Sequence, residues 1–177
     1  LMGRKALKLG QDGLTPDRIE GKFTFTIEPQ TDGAPLPNDE SGRTVTEATH
    51  DANGNVDFGS IAFSLDDLNK ALDKATGGKA TTKSLLKQDA SDEEQPGEYV
   101  PMAGKPRSYD FAYKVTETGS ASGVTNDAEA TRTVAFRVTD DGKGNLSVSR
   151  KPDGDVAFTF TNTYNVTPVE TSVTDQI

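Results

Sequence analysis

Tyr109-Asp110-Phe111-Ala112-Tyr113-Lys114-Val115-Thr116-Glu117 alternates apolar and polar side chains with the period of a β-strand. Successive side chains of a strand point to opposite faces, so Tyr109, Phe111, Tyr113 and Val115 share one face. The same parity places Glu117 in that apolar row. Near the other end of the chain, Val156, Phe158, Phe160, Asn162 and Tyr164 form a second row, set against Ala157, Thr159, Thr161 and Thr163. Asn162 is therefore a second polar side chain on an apolar face.

Working outward from these rows, short alternating runs bounded by turn residues dominate. Phe23-Thr24-Phe25-Thr26-Ile27 follows Gly21 and stops before Pro29, with Phe23, Phe25 and Ile27 inward. Asn53-Gly54-Asn55 turns the chain into Val56-Asp57-Phe58, and Ile61-Ala62-Phe63 continues the pattern. Thr133 to Val138 places Val134, Phe136 and Val138 on one face. Asp141-Gly142-Lys143-Gly144-Asn145 then supplies hairpin chemistry before Leu146-Ser147-Val148. Strands at this spacing, with almost no helix between them, predict an all-β antiparallel sandwich rather than a βαβ sheet. One segment breaks the rhythm. From Ser64 to Ala75, Leu65, Leu68, Leu72 and Ala75 form a helical stripe behind a Ser64 N-cap, and Gly77-Gly78 ends it. Lys79 to Pro106 is polar, with an acidic run from Asp89 to Glu94, and reads as a surface insertion with a second short helical turn at Ser84-Leu85-Leu86. The domain thus spans 1–165 with an insertion at 64–106, and 166–177 reads as a linker or the start of another module.

Composition removes several function classes. The 177 residues carry 19 Lys plus Arg against 28 Asp plus Glu, a net charge of −9 that argues against nucleic acid as partner. No apolar run reaches bilayer length, so no membrane span is expected. Without cysteine there is no disulfide framework, thiol nucleophile or thiolate metal site. The one histidine, His50, lies in a mostly polar stretch and reads as a surface loop residue. The alternating Asp51, Asn53, Asn55 and Asp57 fail as a calcium loop, because Val56 and Ala62 stand where such a loop needs Gly and Glu. No metal or cofactor is expected. A conventional hydrolase is poorly supported, since Glu117 has no second inward carboxylate, nucleophile elbow or usable histidine beside it.

A carboxylate and a carboxamide in apolar rows are costly unless paired. At strand ends either one can reach water or cap a loop, and periodicity alone favours that reading. The alternative is amide cross-linking, a chemistry that uses both. A neutral lysine amine attacks the Asn carboxamide carbon, a neighbouring Glu relays the proton and ammonia leaves.

Further pieces decide between the two. Leu1-Met2-Gly3-Arg4 with Ala6-Leu7, Gly21 to Ile27, Gly54 to Gly59, Tyr113-Lys114-Val115-Thr116-Glu117, Gly123-Val124-Thr125-Asn126-Asp127 and Phe160-Thr161-Asn162-Thr163-Tyr164 follow one another in a familiar order. Together they resemble the isopeptide-linkage domains of Gram-positive backbone pilins and adhesin stalks, of the streptococcal T-antigen pilin type. The resemblance implies an Ig-like, Cna-B-like sandwich in which Glu117 is the catalytic proton relay and Asn162 the cross-link acceptor. The family's lysine precedes the Leu-x-Gly-Arg sequence, which places the expected donor upstream of Leu1; Lys5 and Lys8 follow that motif, and Lys22 has outward parity. Leu1 accordingly reads as an internal cut in a tandem array, with the domain's own first strand left behind.

The resemblance implies a structural module of a secreted, wall-anchored pilin or adhesin. Its partners would be neighbouring modules of the same surface protein, and Glu117 would act in a single self-reaction rather than in turnover. A second function stays open: an adhesin domain that uses the 64–106 insertion, with Leu85, Leu86, Tyr99, Val100 and Met102, to contact a host protein or glycan.

Overall fold

The computed structural model describes residues 1–9, 21–77, 85–87, 99–101 and 106–164. The strand quoted first is the longest and runs through the middle of one sheet. In chain order the strands are β1 (Met2–Leu9), β2 (Phe23–Pro29), β3 (Glu47–Thr49), β4 (Asn55–Asp57), β5 (Leu85–Lys87), β6 (Tyr99–Pro101), β7 (Arg107–Gly119), β8 (Val124–Thr125), β9 (Thr131–Asp140), β10 (Leu146–Lys151) and β11 (Thr159–Tyr164); one helix, α1 (Leu65–Ala75), lies between β4 and β5. One sheet has the order β10-β9-β7-β2-β3 and a second β4-β1-β11-β8, with β5 and β6 paired separately. The protein is an all-β sandwich, with one short helix among the described residues. Among the described residues every ladder is antiparallel except that of β1 with β11, which run parallel.

The apolar rows become the core. Phe23, Phe25 and Ile27 of β2, Phe111, Tyr113 and Val115 of β7, and Val134 and Val138 of β9 face Val56, Phe58, Phe158 and Phe160 from the other side. Each buried Phe contributes about 1.5–3 kcal/mol of transfer free energy, so these rows outweigh any surface contact in fixing register. Gly3 shows how tightly they close. A Cβ on Gly3 would sit inside the Phe158 ring, so the small residue of β1 is what lets the last strand's aromatic row pack flat.

The two predicted turns use one chemistry. Asp51 Oδ1 accepts the main-chain N–H groups of Asn53 (2.9 Å) and Asn55 (2.8 Å), and Asp141 Oδ1 those of Lys143 (2.7 Å) and Asn145 (3.0 Å). The carboxylates are committed to their own backbone, as Asx turns require. The helix also starts as expected. Ser64 and Asp67 form a reciprocal capping box, and Gly77 follows its end at φ +66°.

Several expectations are corrected. Met2–Leu9, which the sequence reading gave no strand, is β1, hydrogen-bonded to both β4 and β11. Leu85–Lys87 pairs with Tyr99–Pro101 as a strand instead of forming a helical turn. Ile61 to Phe63 makes no ladder, and Phe63 instead stacks on Phe111 (5.2 Å) and Phe136 (5.5 Å). The helix buries Leu68 and Ala71 with Leu72 behind them, whereas Leu65 is exposed, because the stripe is rotated toward the side that meets β7 and β9. His50 is buried at 2% exposure, at the end of β3, between the rings of Phe23 (6.3 Å) and Phe25 (6.4 Å), where a bridge to Val56 pulls it inward. The linker reading of 166–177 and the apolar candidates of the insertion, as side chains, fall outside the described residues.

Filling the Gly3 position should therefore loosen the sandwich. Gly3→Ala is expected to cost about 1–3 kcal/mol by forcing the Phe158 ring aside. A urea midpoint equal to that of the unsubstituted chain would show that β1 does not pack on Phe158.

Candidate functional site

Glu117 and Asn162 both point into the sandwich, from opposite sheets. Glu117 is the last inward residue of β7, beside Phe25 in the ladder with β2, and is 5% exposed. Its main-chain N–H is held by Ala130 O at 2.9 Å. Asn162 is inward on β11 with no exposure at all. Parity placed both correctly, because β7 and β11 keep an unbroken period of two through these residues.

The third member is one that the sequence reading set aside. The amine was sought ahead of Leu1, yet the fold puts Lys5 of β1 in the same inner row, beside Phe160 in the parallel ladder. Lys5 is 1% exposed, and its Nζ lies 2.5 Å from Glu117 Oε2. Its main-chain N–H is tied to Gly54 O at 2.6 Å, and Gly54 has φ +83° and no room for a Cβ against the Lys5 carbonyl. The hairpin turn before β4 thus fixes the backbone of the lysine. The missed signal was parity with Gly3, which has no side chain to mark its row as inward; once the Phe158 ring is seen to fill that place, Lys5 must point inward as well.

The electrostatics follow from enclosure. The Phe23 ring lies 4.2 Å from Lys5 Nζ, and Phe25, Phe158 and Phe160 interlock around the row at centroid distances of 5.6 to 6.5 Å. Loss of water lowers the Lys5 pKa below the ordinary 10.5; the hydrogen bond and charge of Glu117, and the charge of Asp127, work the other way without cancelling it. The neutral amine, the form able to act as a nucleophile, is therefore favoured more than on a surface lysine. Phe160 also carries the Arg132 guanidinium 4.6 Å above its ring, and Arg132 pairs with Asp127 at 2.7 Å. Among the described residues no cluster of three or more His, Asp or Glu could hold a metal ion.

A buried amine, carboxylate and carboxamide with no metal-ligating cluster beside them form an unusual set, and comparison with known families gives it a context. The model of the Spy0128-like isopeptide containing domain, FctA, matches residues 1–165. The chain belongs to that family. No curated protein sequence matches it. Among solved structures, a mutant of the major pilin of Streptococcus pyogenes is similar at 20% identity and a TM-score of 0.35, over 93% of this chain and 50% of the pilin. The chain thus spans about half the length of that pilin. No helix among the described residues of this isopeptide-family domain is long and apolar enough to cross a membrane.

Burial of Lys5 has a consequence for pH. In an Asn162→Ala chain, which lacks the carboxamide, the unfolded state holds the Lys5 proton more firmly than the folded state. Stability should therefore climb as pH rises through the window between the lowered pKa and 10.5, the penalty being fully present below that window. The reference is Asn162→Ala with Lys5→Met, in which every other titrating group, including the buried Tyr113 phenol that burial pushes up, is common to both. Denaturation midpoints across alkaline pH should rise more steeply with Lys5 than without it; parallel curves would remove Lys5 from the dry interior.

Proposed function

We propose that this domain is a structural module of a Gram-positive surface pilus or stalk, stapled by an isopeptide bond between Lys5 and Asn162, with Glu117 as the proton relay. The observation that carries this reading is the Lys5–Glu117 contact, enclosed by aromatic rings in the same inner row as a fully buried Asn162. Glu117 takes a proton from the Lys5 ammonium, leaving a neutral amine. Nζ attacks Asn162 Cγ, forming the new C–N bond, and the Cγ–Nδ2 bond breaks. Glu117 passes its proton to the departing nitrogen. Counting the second proton lost by Nζ, nitrogen leaves as ammonium, and Glu117 ends as the carboxylate it was at the start. Nothing is oxidised or reduced, and no cofactor is needed.

The location of such a bond suits a module under tension. β1 and β11 are neighbours in one sheet and run parallel, so Leu1 and Tyr164 stand at opposite ends of the pair. A pull between those points loads β1 and β11 in shear, and a covalent link from Lys5 to Asn162 lies directly across the loaded pair. The link also closes nearly the whole domain into one loop, which by chain entropy alone restricts the unfolded state by about 5 kcal/mol. On this reading the relevant partners are neighbouring modules of the same secreted, wall-attached protein, and Glu117 acts once per chain.

Intact mass under denaturing conditions tests the proposal. The unsubstituted chain should weigh less than its sequence by one ammonia, and tryptic mapping should recover the Lys5 and Asn162 peptides as one branched species. Lys5→Ala, Glu117→Ala and Asn162→Ala should each restore the full mass. A full mass for the unsubstituted folded chain would sink the reading.

A further inference from the structure

Gly123-Val124-Thr125-Asn126-Asp127 contributes no atom to the Lys5–Glu117 contact, yet two of its residues hold both ends of the Asn162 side chain. The main-chain N–H of Asp127 donates to Asn162 Oδ1 at 2.9 Å, and Asn162 Nδ2 faces Asn126 Oδ1 at 3.4 Å. These contacts also settle which way each amide points. Asn126 Nδ2 donates to Gly119 O at 2.9 Å, so its oxygen is the atom left to face Asn162. A main-chain N–H can only donate, so the atom of Asn162 facing Asp127 must be the oxygen. The chain of contacts is closed at every atom.

The clamp is itself anchored. Asp127 Oδ2 accepts the Thr161 main-chain N–H (2.9 Å) and an Arg132 N–H (2.7 Å), and Oδ1 accepts the Glu129 main-chain N–H (3.0 Å). Partial burial works against ionisation of this carboxyl, but those N–H groups and the Arg132 charge hold its pKa below the ordinary value. One ionised side chain thus ties the clamp loop to the residue preceding Asn162 on β11. β8, paired with β11 through Thr125 and Val124, leads the chain into position.

We propose that Asn126 and Asp127 form a carboxamide clamp that presents Asn162 Cγ for attack and stabilises the tetrahedral adduct. This rests on the cross-linking reading above. As Nζ adds to Cγ, negative charge builds on Oδ1, where the Asp127 N–H is already aimed; a preorganised donor gains strength with that charge at no reorganisation cost. When Nδ2 takes the relayed proton it becomes a cationic donor, and its contact with Asn126 Oδ1 changes from a long neutral one to a charge-assisted one. Both contacts are stronger in the adduct than in the resting amide, which is the condition for lowering a barrier. The clamp also blocks the flipped amide, which would turn the nitrogen toward the Asp127 donor.

Cell-free synthesis of the full chain, sampled over time by denaturing intact mass, gives the rate of ammonia loss. Asn126→Ala should slow the loss about 10–100-fold, the scale of a misplaced reacting group. Asp127→Ala should slow it as well, and Asp127→Asn, whose single side-chain oxygen can still accept the Thr161 N–H but not the Glu129 N–H as well, should recover part of the rate. Folding is monitored separately, with each substitution placed on Asn162→Ala so that linkage does not contribute. Asn126→Ala should leave the midpoint of that unlinked chain nearly unchanged, and it carries the test if Asp127→Ala does not fold. Ammonia loss at the unsubstituted rate in Asn126→Ala and Asp127→Ala would overturn the clamp while leaving the staple intact. An Asp127→Asn chain no faster than Asp127→Ala would show that the tie to Thr161 does not position the clamp, and would overturn the part given to Asp127. An unsubstituted chain that never loses ammonia would instead sink the cross-linking reading itself.

Discussion

The contact between Lys5 and Glu117 is the constraint around which the sandwich is organised. Removing an ammonium and a carboxylate from water costs several kcal/mol for each ion, so the pair is tolerable only where geometry returns that energy. Here the charges meet at 2.5 Å across the two sheets, inside a shell of phenylalanines. Such a pair adds little net stability over an apolar one of similar size, and breaking it from one side costs about 3–5 kcal/mol. A fold that retains it gains little in stability from the pair itself. An amine with a lowered pKa and a carboxylate within hydrogen-bond reach are the two parts of a nucleophile and its base.

The supporting structure can be read as provision for that pair. Gly54 lets the turn before β4 approach the Lys5 backbone, and Gly3 lets Phe158 close the row from one side. Phe23 covers the amine, and His50 packs between Phe23 and Phe25 where a polar surface residue was expected. That histidine has its Nδ1 3.0 Å from Asp51 O, and its Nε2 lacks a partner among the described residues. The site's dryness therefore depends on residues distributed over β1, β2, the turn after β3, and β11. Compactness of this kind explains how the fold holds a lysine at 1% exposure.

Much of this was legible in the sequence because the strands that carry Glu117 and Asn162 alternate cleanly. β2, β7, β9 and β11 could be traced by parity alone, and the capping box at Ser64 and the Asp-rich turns announce themselves through local chemistry. What parity could not supply was the row of β1. Its inward positions begin with Leu1, Gly3 and Lys5, where a missing side chain is followed by a charged one, and neither carries the apolar mark on which strand reading depends. His50 misled for a related reason. It follows a three-residue strand too short to show a period, and its burial is imposed by a bridge to Val56 that only the tertiary fold creates. The parallel pairing of β1 with β11 was equally hidden, since it joins the two ends of the domain and no local signal marks it.

That parallel pair is also where stability and proposed function separate. Antiparallel neighbours joined by a hairpin have adjacent ends, so a pull on those ends opens the ladder one hydrogen bond at a time. β1 and β11 offer opposite ends to a pull, and all their hydrogen bonds must yield together. Shear geometry therefore resists force before any covalent chemistry occurs, but only as long as the ladder persists. A bond between the first and last strands removes that condition, because strand separation would then require breaking an amide. Lys5 and Asn162 are placed on the two strands for which such a bond matters mechanically, and Glu117 reaches Lys5 from the opposite sheet, outside the loaded pair.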